Sequence, residues 1–166
     1  MSLDNIQLSK YAIQSLYSKS LVESTQTQPV KEISSKPDSL GENRKNILFL
    51  VNNSENKFLA DDEMDLLFNL ITACKLSMAD IALVNYHTNR SNYKVLTSHF
   101  NPKKIFVFGV TTSELDLPFT IPFFQIQPYN QQLYVAGPPL KDFLNNVGLK
   151  KELWACLKKI FYTENK

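Results

Sequence analysis

The chain has 166 residues, 43% of them hydrophobic, and 18 Lys and Arg against 16 Asp and Glu for a net charge of +2. That is enough apolar material for one conventional core plus an appendage, without metal or disulfide support, and too mild a charge to argue for nucleic acid on its own. No apolar run approaches the roughly 20 residues of a membrane span, and the start Met1-Ser-Leu-Asp-Asn-Ile-Gln lacks a secretory pattern, so a cytoplasmic protein is expected.

In chain order, residues 1–21 form an amphipathic N-terminal segment. Ile6, Ile13, Leu16 and Tyr17 share one helical face, with Tyr11 and Leu21 flanking it. Residues 22–46 are rich in Ser, Thr, Gln, Pro and Lys, with Val22, Val30, Ile33 and Leu40 as the only aliphatic residues. Such a stretch buries too little surface to offset its ordering entropy and is expected to be a flexible linker. The α/β domain is expected over 47–166.

Three short apolar runs punctuate that domain: Ile47 to Asn53, Ile81 to Asn85 and Ile105 to Gly109. Each is rich in β-branched or aromatic residues, and helical patterns lie between them. This is the pattern of buried parallel strands covered by helices on both faces. After the first run, Asp61 or Asp62 is expected to cap a helix carrying Met64, Leu67, Phe68, Ile71 and Cys74 on one face. A loop from Tyr86 to Asn92 follows the second run. It leads to a short helix with Val95, Leu96 and Phe100, ended by Asn101-Pro102.

Further strands are expected at Ile121 to Ile126 and Gln132 to Ala136. Leu140, Phe143 and Leu144 then mark a short helix that Gly148 should terminate. Leu149, Leu153, Trp154, Leu157, Ile160 and Phe161 mark a longer one. Lys150, Lys151, Lys158 and Lys159 lie largely off that stripe and are read as a solvated face. The expected architecture is therefore α/β: three layers, α/β/α, around a mostly parallel sheet of four to five strands.

In an open α/β sheet the ligand crevice lies beyond the carboxyl ends of the strands. That directs attention to Asn52, Asn53, Asn85, His87 and the segment after Gly109. The chemistry expected there is sparse. The sequence has no P-loop, H-E-x-x-H, C-x-x-C or G-x-S-x-G, and four glycines in all. His99 reads as a helix-end residue and His87 as a loop residue within reach of a site. Asp61, Asp62, Glu63 and Asp65 read as first-turn acids rather than a metal cluster. Cys74 and Cys156 read as reduced core thiols. No catalytic set, metal site or cofactor is expected. Asn85 can be read two ways: as an amide presenting donors and acceptors to a base edge, or as a turn residue.

From the first strand onward, the chain resembles the uracil-DNA glycosylase fold superfamily. Ile81-Ala-Leu-Val-Asn85, with Arg90 in the loop after it, looks like the strand and loop presenting that superfamily's base-reading asparagine. Asn101-Pro-Lys-Lys-Ile-Phe-Val-Phe-Gly109 looks like its x-Pro-x-x-Ile-x-x-x-Gly strand. Gly137-Pro138-Pro139, Leu140 and Leu149-Lys-Lys-Glu-Leu-Trp154 look like the stretch where active members carry His-Pro-Ser, a leucine pair and a Lys…Trp helix. The catalytic motif after the first strand is replaced by Asn52-Asn53-Ser54-Glu55, and the motif histidine by Gly137. Cluster-binding cysteines have no counterparts.

Both ends are also similar to the psi-subunit family of the bacterial DNA polymerase III holoenzyme. Pro138, Leu140, Asp142, Asn145 or Asn146, Leu153 and Trp154 follow its Pro-x-Leu-x-Asp…Asn…Leu-Trp tail. Gln7 to Tyr17 resembles its short N-terminal peptide, with Tyr17 where that peptide has tryptophan; the long linker is a departure. The resemblance implies a non-catalytic replication accessory protein that tethers partners to the clamp loader, with DNA bound weakly or indirectly. Tyr11, Ile13, Leu16 and Tyr17 would be the partner-binding anchors. Asn52, Asn85, His87 and Gly137 would line a remnant ligand pocket. The alternative implied is a divergent nucleobase- or DNA-binding protein of the glycosylase superfamily, using Asn85 and His87. An unrelated α/β small-molecule binder is the third reading.

Overall fold

The computed structural model describes residues 37–163. Six strands form one mixed, mostly parallel sheet: β1 (Ser39–Leu40), β2 (Ile47–Val51), β3 (Ile81–Asn85), β4 (Lys104–Phe108), β5 (Gln127–Tyr129) and β6 (Gln132–Gly137). Their order is β1-β3-β2-β4-β6-β5. The inner four are parallel, and β1 and β5 add antiparallel edges. Four α-helices occur among the described residues: α1 (Asp61–Ala73), α2 (Tyr93–Phe100), α3 (Leu140–Leu144) and α4 (Val147–Phe161). No helix among the described residues is long and apolar enough to cross a membrane.

Because β-strand side chains alternate, a strand buried on both faces must be apolar throughout. β2 meets that requirement, and every residue of Ile47-Leu-Phe-Leu-Val51 is buried. Ile47, Phe49 and Val51 join Ile81, Leu83, Phe106, Phe108 and Val135 under α1, α3 and α4. Leu48 and Leu50 join Ala82, Val84, Ile105, Val107 and Tyr134 on the opposite face. The second face is covered by Leu96 and Phe100 of α2 and by Val110, Leu115, Leu117 and Ile121 of an extended coil. The outer layers are therefore unequal: three helices on one side, one short helix and coil on the other.

Several expectations are corrected by long-range packing. The ordered pairing begins upstream of Ile47. Ser39 and Leu40 pair with Val84 and Leu83, and Asn43 N–H donates to Ile81 O, so part of the expected linker is sheet edge. The rest of that linker, and the N-terminal segment, lie outside the described residues. The strand expected over 121–126 is a turn instead, and the sheet has six strands rather than four to five. Phe124 has a positive φ of 60°, and one bridge from Phe123 to Ala136 is all that pairs there. The strand falls at Gln127–Tyr129. It turns into β6 through Asn130 and Gln131, both at positive φ, the geometry of a tight hairpin.

Local capping also differs from expectation. α1 is preceded by Ala60 with no side-chain cap, and Asp61, Asp62 and Glu63 instead fill its first turn, where their charge suits the helix dipole. Phe68 is 51% exposed rather than core. Gly148 does not end α3. Asn146 caps α4 by accepting from Leu149 N–H, and Gly148 sits in the first turn, where a Cβ would crowd the Asn146 Oδ1 at 3.2 Å. The end of α2 matches expectation: Asn101 takes a left-handed conformation next to Pro102.

Candidate functional site

The strand order makes β2 the point where the chain reverses direction across the sheet, with β3 on one side and β4 on the other. Chain segments leaving β2 and β4 diverge there, which opens a crevice at their carboxyl ends. A cavity of about 400 Å³ lies at that place. Asn52 to Asn56 after β2, His87 after β3, Gly109 after β4 and Lys141 of α3 contribute to its lining, with Glu63 from α1. Asn52 Nδ2 donates to Gly109 O at 3.1 Å and clips the ends of β2 and β4 together. Gly109 has a φ of 72°, and Pro139 stands 3.1 Å from where its Cβ would be, so only glycine fits without strain.

Asn85 continues the Ile81–Leu83 row of β3, one step beyond the apolar layer, and is fully buried. Its Oδ1 accepts the N–H of Asn53 at 3.0 Å and of His87 at 3.1 Å. Its Nδ2 donates to the carbonyls of Asn53, Asn56 and Lys57 at 2.7, 3.0 and 3.1 Å. Every donor and acceptor of that amide is spent on backbone, leaving none for a ligand. Asn53 is the second hub of the loop. Its Oδ1 accepts from Glu55 N–H and Asn56 N–H, both at 2.9 Å, and its Nδ2 donates to the buried Glu63 at 3.2 Å.

Of the expected pocket residues, Asn52 and His87 line the cavity, Asn85 lies behind the loop, and Gly137 is not in the lining. Gly137 is buried between aromatic rings: a Cβ there would meet Phe108 at 3.1 Å and Phe143 at 3.5 Å. His99 packs edge-on against Phe100 at the end of α2, away from the cavity. The anchors expected at Tyr11, Ile13, Leu16 and Tyr17 lie outside the described residues.

Glu63 was missed as a site residue. Its acidic neighbours made it read as one more first-turn acid, whereas its partner lies in a loop folded back by Asn85. Ser54 supplies the hydroxyl in the lining and has no hydrogen bond to His87 or a carboxylate among the described residues. No group of His, Cys, Asp and Glu suited to a metal occurs among the described residues. What the arrangement offers is a polar recess of amides and carboxylates, with Lys141 and His87 as its cationic or protonatable groups.

Fold and site together define an open-sheet α/β protein with a polar crevice at its strand carboxyl ends. No protein-family model matches the chain, and no curated protein matches it significantly.

Proposed function

We propose that this chain is a non-catalytic replication accessory protein of the psi type, with the domain as a rigid platform and the N-terminal segment as the tether to a clamp-loader partner. The observation that carries the non-catalytic part is Asn85. A base-reading asparagine needs free donors and acceptors at the pocket, and this one is consumed in holding the 53–57 loop. The packing at Gly137 supports the same reading, because Phe108 and Phe143 occupy the space a histidine side chain would need. A uracil-DNA glycosylase-like fold is the finer assignment. It is supported by the succession β2-α1-β3-α2-β4 and by the central position of the Pro102 to Gly109 strand.

Tyr11, Ile13, Leu16 and Tyr17 would fold into a groove on the partner, bulky anchors carrying most of the affinity. The test is affinity purification with mass spectrometry from the native host, using wild type and the Leu16→Ala/Tyr17→Ala double variant. Clamp-loader or polymerase subunits should co-purify with wild type, and the double variant should lose them through a penalty of about 2–4 kcal/mol. Absence of any replication subunit from the wild-type eluate would sink the proposal.

A second reading, a divergent nucleobase-binding protein, is favoured by the cavity itself, which has room for a small polar ligand bordered by Asn52 and His87. Base release from a uracil-containing oligonucleotide, lost on Asn52→Ala, would put that reading first.

A further inference from the structure

The opposite end of the sheet carries a feature that the crevice does not explain. The parallel strands begin level with one another: Ile47 is paired with Ile81 and with Lys104, and Lys104 with Leu133. Residues just ahead of the strands therefore share one edge, and among them are Lys45, Lys103 and Lys104. α1 descends to the same edge and delivers Lys75. The last turn of α4 arrives there too, since Tyr162 Oη donates to Ala73 O at 2.6 Å. A cleft of about 240 Å³ results, lined by Lys45, Lys75, Lys104, Phe161 and Tyr162 over an apolar floor.

The lysines are interleaved with aromatic rings. Lys75 Nζ lies 5.8 Å from the Tyr162 ring centre, Lys104 Nζ 5.1 Å from Phe161 and Lys158 Nζ 5.4 Å from Trp154. Trp154 and Tyr162 meet edge to face at 6.1 Å, and Tyr162 is 44% exposed. The carboxylates of the 41–45 and 78–80 segments are paired: Asp80 with Lys45, and Glu42 with Arg44. Ammonium groups beside the exposed Tyr162 ring and the half-buried Trp154 suit a strand of alternating phosphates and bases, where charge holds the backbone and the rings receive bases. An acidic peptide would use the lysines but gain little from the rings.

We propose that this edge, built on Lys75, Lys104, Lys158, Trp154 and Tyr162, binds single-stranded nucleic acid. The inference rests on the placement of charge and rings alone and stands whether or not the chain serves a replication assembly.

The test is fluorescence anisotropy on the full chain with labelled oligothymidylate, run beside labelled poly-glutamate. Trp154, the sole tryptophan, serves as an intrinsic reporter. If Lys75 and Lys158 each neutralise one phosphate, the logarithmic salt slope should be about −1.4, so raising salt from about 50 to about 200 mM should weaken binding about sevenfold. Oligothymidylate should quench Trp154. Lys75→Glu/Lys104→Glu should abolish binding. Tyr162→Ala should weaken oligothymidylate about fivefold or more while leaving poly-glutamate unchanged.

Lys75→Glu/Lys158→Glu, at two exposed positions, is the second charge variant should the first fail to fold, and it should weaken binding at unchanged melting temperature. Three results would overturn the proposal. One is no oligothymidylate binding at the lower salt, and another is binding indifferent to the charge reversals in folded protein. The third is poly-glutamate binding as tight as oligothymidylate with Tyr162→Ala without effect, which would make the edge a docking surface for acidic proteins.

Discussion

Replacing Asn85 with alanine tests whether that amide is a structural hub. Its Oδ1 accepts two backbone N–H groups, and its two Nδ2 hydrogens are shared among three backbone carbonyls, all in the 53–57 loop and at His87. At a net value of about 1 kcal/mol for each of these two accepting and two donating positions, their sum would be about 4 kcal/mol. Asn56 and Lys57 are exposed, so water can re-satisfy part of the loop once it moves, which brings the expected loss to about 3 kcal/mol. For a domain of this size that corresponds to a fall in melting temperature of about 10 °C. Urea titration should show the midpoint falling with little change in slope, and hydrogen exchange should rise at the amides of Asn53 and His87, whose acceptor is removed. Asn85→Asp should be at least as damaging near neutral pH, because a carboxylate would face three carbonyl oxygens. Its deficit should shrink in acid as the carboxyl takes up a proton and becomes a donor. A melting temperature within a degree or two of wild type for Asn85→Ala, with the loop amides still protected, would refute the reasoning.

Gly137→His should fail to install an active-site histidine and should cost about 3 kcal/mol, since its Cβ would press on the Phe108 ring at 3.1 Å; thermal melting reads the loss, and a stable variant would show that the aromatic pocket yields. Burial pushes the Cys74 thiol up from 9.0 to about 11, and burial likewise raises Cys156. At about pH 8 neither should react promptly with a thiol reagent in the native protein, whereas both should in denaturant; fast native labelling would mean the core opens there. The Ser77 backbone N–H first, with its hydroxyl and Lys45, holds the Asp80 carboxyl below its ordinary 3.8. The stabilisation is therefore complete above that value and is lost as pH falls through the lower folded-state value. Asp80→Asn should cost about 1 kcal/mol near neutrality, the range for a lost cap, and the gap from wild type should close in strong acid. A gap that stays constant with pH would contradict the assignment.

The sequence by itself determined the inner strands. Ile47–Val51, Ile81–Asn85 and Lys104–Phe108 form where apolar runs require burial on both faces, and the close of α2 at Asn101-Pro102 is equally legible. These are short-range properties, set by side-chain period and backbone preference within a few residues. The sheet order, the two edge strands and the roles of the polar residues were decided by tertiary structure. Ser39–Leu40 and Gln127–Tyr129 carry no strand pattern of their own and become strands because β3 and β6 offer them free backbone partners. From sequence Asn85 admits two readings, a ligand-facing amide or a turn residue, because its partners lie 28 to 32 positions away in a loop that folds back only once β2 and β3 pair. Gly137 looked like a vacancy in a motif, whereas the packed rings of Phe108 and Phe143 leave no room for more than its hydrogen. The lysines at 45, 75, 104 and 158, scattered along the chain, share an edge because parallel strands start level and their connecting helices return to that end. No local pattern encodes that convergence, since it follows from the crossover geometry of the whole sheet.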